Sequence, residues 1–308
     1  MNKWKSNHLI FFLLLTTGIF SCKPNERGKN QKPLVITTTG MISDGLKNIL
    51  GDVAEVKALM GPGVDPHLYK ATQGDLALLE SADYIFYNGI HLEGKMAEIF
   101  QKMARNKPVV AVGDGVSHSQ LRQMQLQEDT YDPHIWFDVK LWQQAIDFAA
   151  DTLEKLLPEQ ATGIAERKNI YHIMLDSLDV TVKTRMAEIP QKNRVLVTAH
   201  DAFGYFGRAY GVEVKALQGI STVSEFGLKD VTDLVDFISK NKIPSLFVET
   251  SVPEKYLRSV MEGCQKSGHE VKIGGSLFSD AMGANGTPEG TYRGMVMKNV
   301  NTIVEGLK

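Results

Sequence analysis

Histidine follows Asp-Pro at two places in this chain, in Asp65-Pro66-His67 and in Asp132-Pro133-His134. Proline fixes its own φ near about −65° and keeps the residue before it extended. The aspartate carboxylate is then free to accept a hydrogen bond from a nearby backbone N–H or from the neighbouring imidazole. The second kind of contact selects the tautomer that a metal ligand needs. The repeated unit therefore predicts two neutral imidazoles held rigidly outward.

A third histidine and an aspartate occupy comparable positions, because each follows an apolar, strand-like run. His200 comes directly after residues 194–199, and Asp280 lies in the loop beyond residues 270–275. Open α/β sheets bind ligands outside the carboxyl ends of their strands. Three imidazoles and one carboxylate form a donor set that suits zinc. The four residues are far apart in sequence, however, and a single histidine is more often structural, so the residues alone leave both interpretations open.

Three aspartates adjoin the candidate ligands: Asp65, Asp132 and Asp201. Three imidazoles around a zinc ion with an open position also describe a hydrolase, which would need a general base beside that position. We expect the aspartates to orient the imidazole rings instead, because a carboxylate at Asp280 would close the site. A surface adhesin with a structural metal is a further alternative, although nothing in the sequence encodes its partner.

The elements that must position these residues alternate between strands and helices, which is typical of an α/β fold. Helical segments lie between most of the strand-like runs, for example at 42–50, 93–104, 231–240 and 254–268. The runs fall into two sets of four: 34–39, 53–59, 83–89 and 108–113, then 194–199, 212–217, 244–249 and 270–275. We expect two lobes, each with a four-stranded, mostly parallel sheet and flanking helices.

A long helix is predicted between the two sets, over 159–190. Apolar residues recur there at helical spacing. They are Ile164, Ile170, Ile173, Met174, Leu178, Val182, Met186 and Ile189. The predicted organisation is an N-terminal lobe at 34–158, a rigid linking helix at 159–190 and a C-terminal lobe at 191–308. Two lobes joined by one long helix would move little relative to each other.

The N-terminus has the pattern of an export signal, with two lysines followed by an apolar run too short to span a bilayer comfortably. We assign 1–21 to the signal and 22–33 to a flexible tether. The run ends at Ser21-Cys22, which resembles a bacterial lipoprotein signal, although Phe20 is bulkier than that pattern usually has. Cys22 is the expected lipid attachment point. Cys264 would then have no intramolecular disulfide partner, and we expect a buried or half-buried thiol without a role there.

Composition and charge limit the classes of protein to which this chain could belong. The chain has 308 residues, 43% of them hydrophobic, and a formal net charge of −2, which together describe a folded protein with a substantial core. The charge and the lack of a basic block give no reason to expect a nucleic-acid partner. The chain also lacks a phosphate-binding glycine loop. We expect a monomer, and the role of His91, which follows a predicted strand, stays open.

Several long segments resemble the TroA-like family of zinc- and manganese-binding lipoproteins of bacterial ABC transporters. They include GPGVDPHLY, YDPHIWFDVKLW and VLVTAHDAFGYFGRAYGVEVKALQGIST, and the resemblance runs from about residue 34 to the end. It implies two lobes bridged by a rigid helix, one metal ion between them, and delivery of that ion to a membrane permease. Carried over to matching positions, the implied ligands are His67, His134, His200 and Asp280.

The resemblance leaves the metal undecided. Zinc-specialised members of the family often carry a histidine-rich, acidic run between the first two ligands, and residues 115–134 contain no such run. Many manganese-specialised members have glutamate where this chain has His200. Nitrogen donors favour Zn²⁺ over Mn²⁺ in intrinsic affinity. We therefore expect zinc in a purified sample, while manganese and, with less support, iron stay open as the metal carried in the cell.

Overall fold

The computed structural model describes residues 31–124 and 130–308. The predicted signal, Cys22 and most of the predicted tether lie outside this part. Residues Lys32–Lys308 form one compact unit, so the division at 159 and 190 remains a prediction. No helix in the described part combines the length and the apolar character that crossing a bilayer requires.

The first sheet has four parallel strands: β1 (Leu34–Thr37), β2 (Glu55–Ala58), β3 (Tyr84–Tyr87) and β4 (Val109–Ala111). Their order across the sheet is β2-β1-β3-β4. β1 is buried along its whole length, as expected for a central parallel strand covered on both faces. Helices α1 (Gly40–Leu50), α2 (Gln73–Ser81), α3 (Ala97–Met103) and α4 (Val139–Leu156) belong to this half of the chain.

The second half contains β5 (Val195–His200), β6 (Glu213–Gln218), β7 (Ser245–Glu249) and β8 (Lys272–Leu277). These strands form two parallel pairs, β5–β6 and β7–β8, rather than one continuous four-stranded ladder. The associated helices are α6 (Gly204–Tyr210), α7 (Leu228–Asn241), α8 (Lys255–Lys266) and α9 (Tyr292–Leu307). All eight predicted strands are present, and the expected α/β class with parallel strands is confirmed.

A helix of 26 residues, α5 (Ala161–Met186), lies between the two halves. It is about 39 Å long at about 1.5 Å per residue. The apolar face predicted for it is wrong at Ile170 and Ile173, which are 67% and 69% exposed. The buried face contains the predicted Leu178 together with Tyr171 and Leu175, which the prediction did not include. Each residue advances the helix by about 100°, so an isoleucine one position before Tyr171 points away from that face.

Residues of both halves share one hydrophobic core. Ile146 of α4 and Leu178 of α5 belong to the same buried cluster as Phe203, Tyr292 of α9 and Val300 of α9. Truncating a buried side chain such as Ile146 or Leu178 to alanine typically costs about 2–5 kcal/mol. A shared core of this kind favours a fixed arrangement of the two halves, which keeps the loops at their strand ends in register.

Candidate metal centre

The structure brings His67, His134, His200 and Asp280 together. Each offers a donor atom, and these atoms lie within 4.8 Å of one another. All four residues are buried, with at most 3% of their surface exposed. No other group of three or more such residues that could hold an ion is found among residues 31–124 and 130–308.

The spacing of the donor atoms suits a single small ion. His67 Nε2 lies 3.2 Å from His134 Nε2. The Asp280 oxygens lie 3.3 Å from His134 Nε2 and 3.2 Å from His200 Nε2. The longest of these separations, from Asp280 Oδ2 to His67 Nε2, is 3.9 Å. Neighbouring donors around a tetrahedral ion with bonds of about 2.0–2.1 Å lie about 3.3 Å apart.

Both Asp-Pro-His units form the same turn. Asp65 Oδ1 accepts a hydrogen bond from the His67 backbone N–H at 2.8 Å. Asp132 Oδ1 accepts one from the His134 backbone N–H at 3.0 Å, and the same oxygen lies 2.7 Å from His134 Nδ1. In both units the aspartate therefore fixes the backbone of the histidine. In the second unit it also contacts the imidazole, leaving Nε2 to face the cluster.

His200 stands at the end of β5, and its ring contacts a glutamate that sequence reasoning missed. His200 Nδ1 lies 2.5 Å from Glu249 Oε2. Glu249 Oε1 accepts hydrogen bonds from the backbone N–H groups of Ala199 and His200 at 2.8 and 2.9 Å. The sequence contains one signal for Glu249: it is the last residue of the strand-like run PSLFVE. It therefore lies at the carboxyl end of a strand, where the other candidate ligands are also found. Asp201, proposed for this orienting role, lies beside Arg122 instead, with its Oδ2 3.5 Å from Nη2.

Asp280 lies in the loop after β8, and three side chains from other parts of the chain hold this loop in place. Trp136 Nε1 donates to the Ser279 carbonyl at 3.0 Å, and the Ser279 and Ser251 hydroxyls lie 2.8 Å apart. The backbone of Phe278 exchanges two hydrogen bonds with the side-chain amide of Asn299 on α9. These contacts hold the two residues before Asp280. They therefore position its carboxylate without hydrogen bonds to the carboxylate oxygens.

The loop after β3 supports the second Asp-Pro-His unit. Asn88 Nδ2 donates to the Pro133 carbonyl at 3.0 Å. Glu93, which is buried, accepts hydrogen bonds from the backbone N–H groups of Asn88 and Gly89 at 2.8 and 3.2 Å. Gly89, Ile90 and His91 have consecutive positive φ values of 77°, 53° and 63°.

Two residues whose roles the sequence left open lie outside the donor cluster. His91 is exposed, and Cys264 is a buried free thiol on α8.

Burial and the charges around the cluster give the three imidazoles different pKa values. Burial lowers the pKa of His67 to about 3. Burial also acts to lower the pKa of His134, but Asp132 and Asp280 outweigh it and raise that pKa to about 9. His200 behaves alike, because Glu249 and Asp280 overcome desolvation and raise its pKa well above the usual value. Conversely, His200 and His134 hold the pKa of Asp280 well below its usual value despite its burial.

The atoms that face the centre of the cluster have unmet bonding capacity. Among the described residues, His200 Nε2 and both oxygens of Asp280 are buried and make no hydrogen bond of normal geometry. Burying polar groups without partners costs about 1–3 kcal/mol each. A divalent cation would satisfy all three atoms at once, so the donor set fits a metal ion. A cavity of about 290 Å³ borders Asp280 on the side of α1.

Comparison with known proteins agrees with this geometry. A family profile described as zinc-uptake complex component A, periplasmic, matches residues 35–306. The chain belongs to this family. The zinc-binding protein TroA of Treponema pallidum (strain Nichols) is 51% identical over 294 residues, covering 96% of this chain and 95% of TroA. The manganese-binding lipoprotein MntA of Bacillus subtilis (strain 168) is 46% identical over 298 residues, covering 96% and 97%.

Solved structures of similar proteins share the fold. The periplasmic zinc-binding protein TroA from Treponema pallidum superposes with a TM-score of 0.87, covering 90% of this chain and 99% of that chain. Fe(III)-bound YtgA from Chlamydia trachomatis superposes with a TM-score of 0.81 at 26% identity, covering 90% and 98%. The resemblance to metal-binding proteins of ABC transporters that the sequence motifs indicated is confirmed.

Proposed function

We propose that this protein captures one divalent transition-metal ion, zinc or manganese, outside the cytoplasm and delivers it to an ABC permease for import. The observation that carries the proposal is the convergence of three imidazoles and one carboxylate, buried and spaced for one ion. The similar proteins named above bind zinc, manganese or iron, and the family consists of components of uptake systems rather than enzymes.

The proposed ligands are His67 Nε2, His134 Nε2, His200 Nε2 and Asp280. Asp132 and Glu249 would hold the rings of His134 and His200, respectively, in the tautomer that leaves Nε2 free for the metal. Carboxylates in this role also raise the basicity of the ligand. Asp65 would act on the backbone of its loop, since its other oxygen accepts a hydrogen bond from Thr222 Oγ1 at 2.6 Å.

The site favours zinc over manganese in intrinsic affinity, because imidazole is a softer donor than carboxylate. Availability in the cell then decides which metal is carried. The ion would be enclosed by buried donors, so release must be coupled to docking on the permease. We further propose that Cys22 carries a lipid that holds a monomeric protein at the outer face of the membrane. Names of relatives such as the lipoprotein MntA support the anchor.

Metal analysis tests the proposal directly. The mature protein, loaded with zinc or manganese and freed of loosely bound metal, should hold close to one ion per chain by elemental analysis. His67→Ala should lose most of that ion, whereas His172→Ala, on the partly exposed face of α5, should keep it. Two tightly held ions, no ion at all, or equal retention by the two variants would contradict the proposed site.

A further inference from the structure

The guanidinium of Arg122 lies between two carboxylates beside the donor cluster. Its Nη1 contacts Asp132 Oδ2, and its Nη2 lies 3.5 Å from Asp201 Oδ2. Asp132 begins the second Asp-Pro-His unit in the N-terminal half, and Asp201 directly follows His200 at the end of β5. Arg122 thus connects a ligand-bearing loop in one half of the protein with a ligand-bearing strand end in the other.

Arg122 contacts the oxygen of Asp132 that the histidine does not use. Asp132 Oδ1 lies 2.7 Å from His134 Nδ1, and Oδ2 contacts the guanidinium. Asp132 is completely buried, while the Arg122 side chain is 30% exposed. The carboxylate is therefore fixed at both oxygens, and its orientation determines the direction in which the His134 ring points.

Gly204, the first residue of α6, provides the space that the guanidinium occupies. A Cβ atom at this position would overlap Arg122 Cζ and Nη1. Gly204 does not need the left-handed backbone conformation that usually calls for glycine, since its φ lies outside that range. The close approach of the guanidinium is therefore the structural reason for glycine at this point.

Tyr205, the next residue, fixes the backbone on both sides of this contact. Its hydroxyl accepts a hydrogen bond from the Arg122 backbone N–H at 3.0 Å and donates one to the Asp132 carbonyl at 2.8 Å. The Arg122 guanidinium lies 5.9 Å from the centre of the Tyr205 ring. Arg122 is therefore held against α6 by its backbone and by its side chain.

We propose that Arg122 is a positioning residue of the metal site: it holds Asp132, and through it His134, and keeps the metal from leaving. The inference rests on the ligand set given under Proposed function. Loss of a partner that orients a metal ligand typically costs about 10–100-fold in metal affinity. We expect this loss in Arg122→Met, with most of it in a faster rate of dissociation.

Two further variants separate the contacts of Arg122 from its charge. Arg122→Lys keeps the positive charge, but its compact ammonium cannot span both carboxylates as the planar guanidinium does. It should therefore restore only part of the lost affinity. Gly204→Ala keeps Arg122 and every proposed ligand, and displaces the guanidinium by steric overlap alone. It should speed metal release in the same direction as Arg122→Met.

The experiment is chelator-driven release of Zn²⁺, followed by stopped flow, together with thermal unfolding of the metal-free proteins. Arg258→Met is the matched arginine control, since it removes an exposed guanidinium near Glu254 on the surface of α8. Gly74→Ala is the matched glycine control, because a Cβ there would only reach Thr72 Oγ1 at an ordinary 3.6 Å. Both controls should release Zn²⁺ at the wild-type rate.

A double variant tests whether Gly204 acts through Arg122. Gly204→Ala should cause no further acceleration when it is added to Arg122→Met. Equal acceleration in both backgrounds would overturn the inference, as would unchanged release rates with a lowered unfolding temperature of the metal-free protein. If Arg122→Met fails to fold, Arg122→Lys and Gly204→Ala decide the question. A wild-type protein that binds neither Zn²⁺ nor Mn²⁺ would instead contradict the proposed function.

Discussion

Metal binding should depend on pH well above the range in which free histidine titrates. An unperturbed imidazole has a pKa near about 6.5 and would compete with metal only below neutral pH. Here Asp132 and Asp280 outweigh desolvation and raise the pKa of His134 to about 9, and Glu249 and Asp280 raise that of His200. We therefore expect both rings to be protonated in the metal-free protein at pH 7, so that each must lose a proton before its Nε2 can bind metal.

The magnitude of this effect follows from the difference between pH 7 and the pKa of His134. At two units below its pKa, His134 alone weakens apparent affinity about 100-fold relative to a pH well above 9, or about 2.7 kcal/mol at 1.36 kcal/mol per unit. His67, with a pKa of about 3, adds no competition in this range because it is already neutral. We expect close to two protons to be released for each ion bound at pH 7.

The stability of the metal-free protein should depend on pH in the opposite direction to metal affinity. The pKa of His134 is higher in the folded protein than in the unfolded chain, so its protonation stabilises the fold below about pH 6.5. That contribution is lost as pH rises through about 9. Between pH 7 and 9, the unfolding temperature of the metal-free protein should therefore fall while metal affinity rises.

Two measurements check this reasoning: competition with a chelator of known proton affinity from pH 6 to 10, and proton release into a weakly buffered indicator solution. Asp132→Asn is the informative variant, because it removes a charge that raises the pKa of His134. It should flatten the pH dependence between 7 and 9 as well as weaken binding. A wild-type affinity that is flat over this range, or binding without proton release, would refute the argument.

Four other outcomes are expected. His200→Glu exchanges nitrogen for a harder oxygen donor and should narrow the ratio of zinc to manganese affinity by about tenfold, or about 1.4 kcal/mol, in competitive titrations. Glu249→Gln should weaken zinc binding by about 10–100-fold in the same titrations, because the ring of His200 loses its carboxylate. Cys22→Ala should move the protein from the membrane to the soluble fraction; unchanged retention would count against lipid attachment. Leu178→Ala, on the buried face of α5, should cost about 2–5 kcal/mol in denaturant unfolding, whereas the exposed Ile173→Ala should cost less than about 0.5.

The sequence by itself determined the elements of this protein. β-branched runs separated by amphipathic segments predicted all eight strands, because the alternation reflects local propensity and burial that act over a few residues. The Asp-Pro-His units were predictable for the same reason: the proline and the aspartate act within three residues of the histidine. The turn seen at Asp65 and at Asp132 is the local conformation that this triplet favours.

Contacts between distant parts of the chain were decided only by the tertiary structure. Which face of α5 is buried depends on the elements that pack against it. Helical spacing alone therefore assigned Ile170 and Ile173 to the buried face, although both are exposed. Glu249 lies 49 residues from His200, and only the packing of β7 beside β5 shows that it, rather than the adjacent Asp201, contacts the His200 ring. The separation of the histidine pKa values likewise depends on burial and on charges brought together by folding, since isolated imidazoles would all titrate alike.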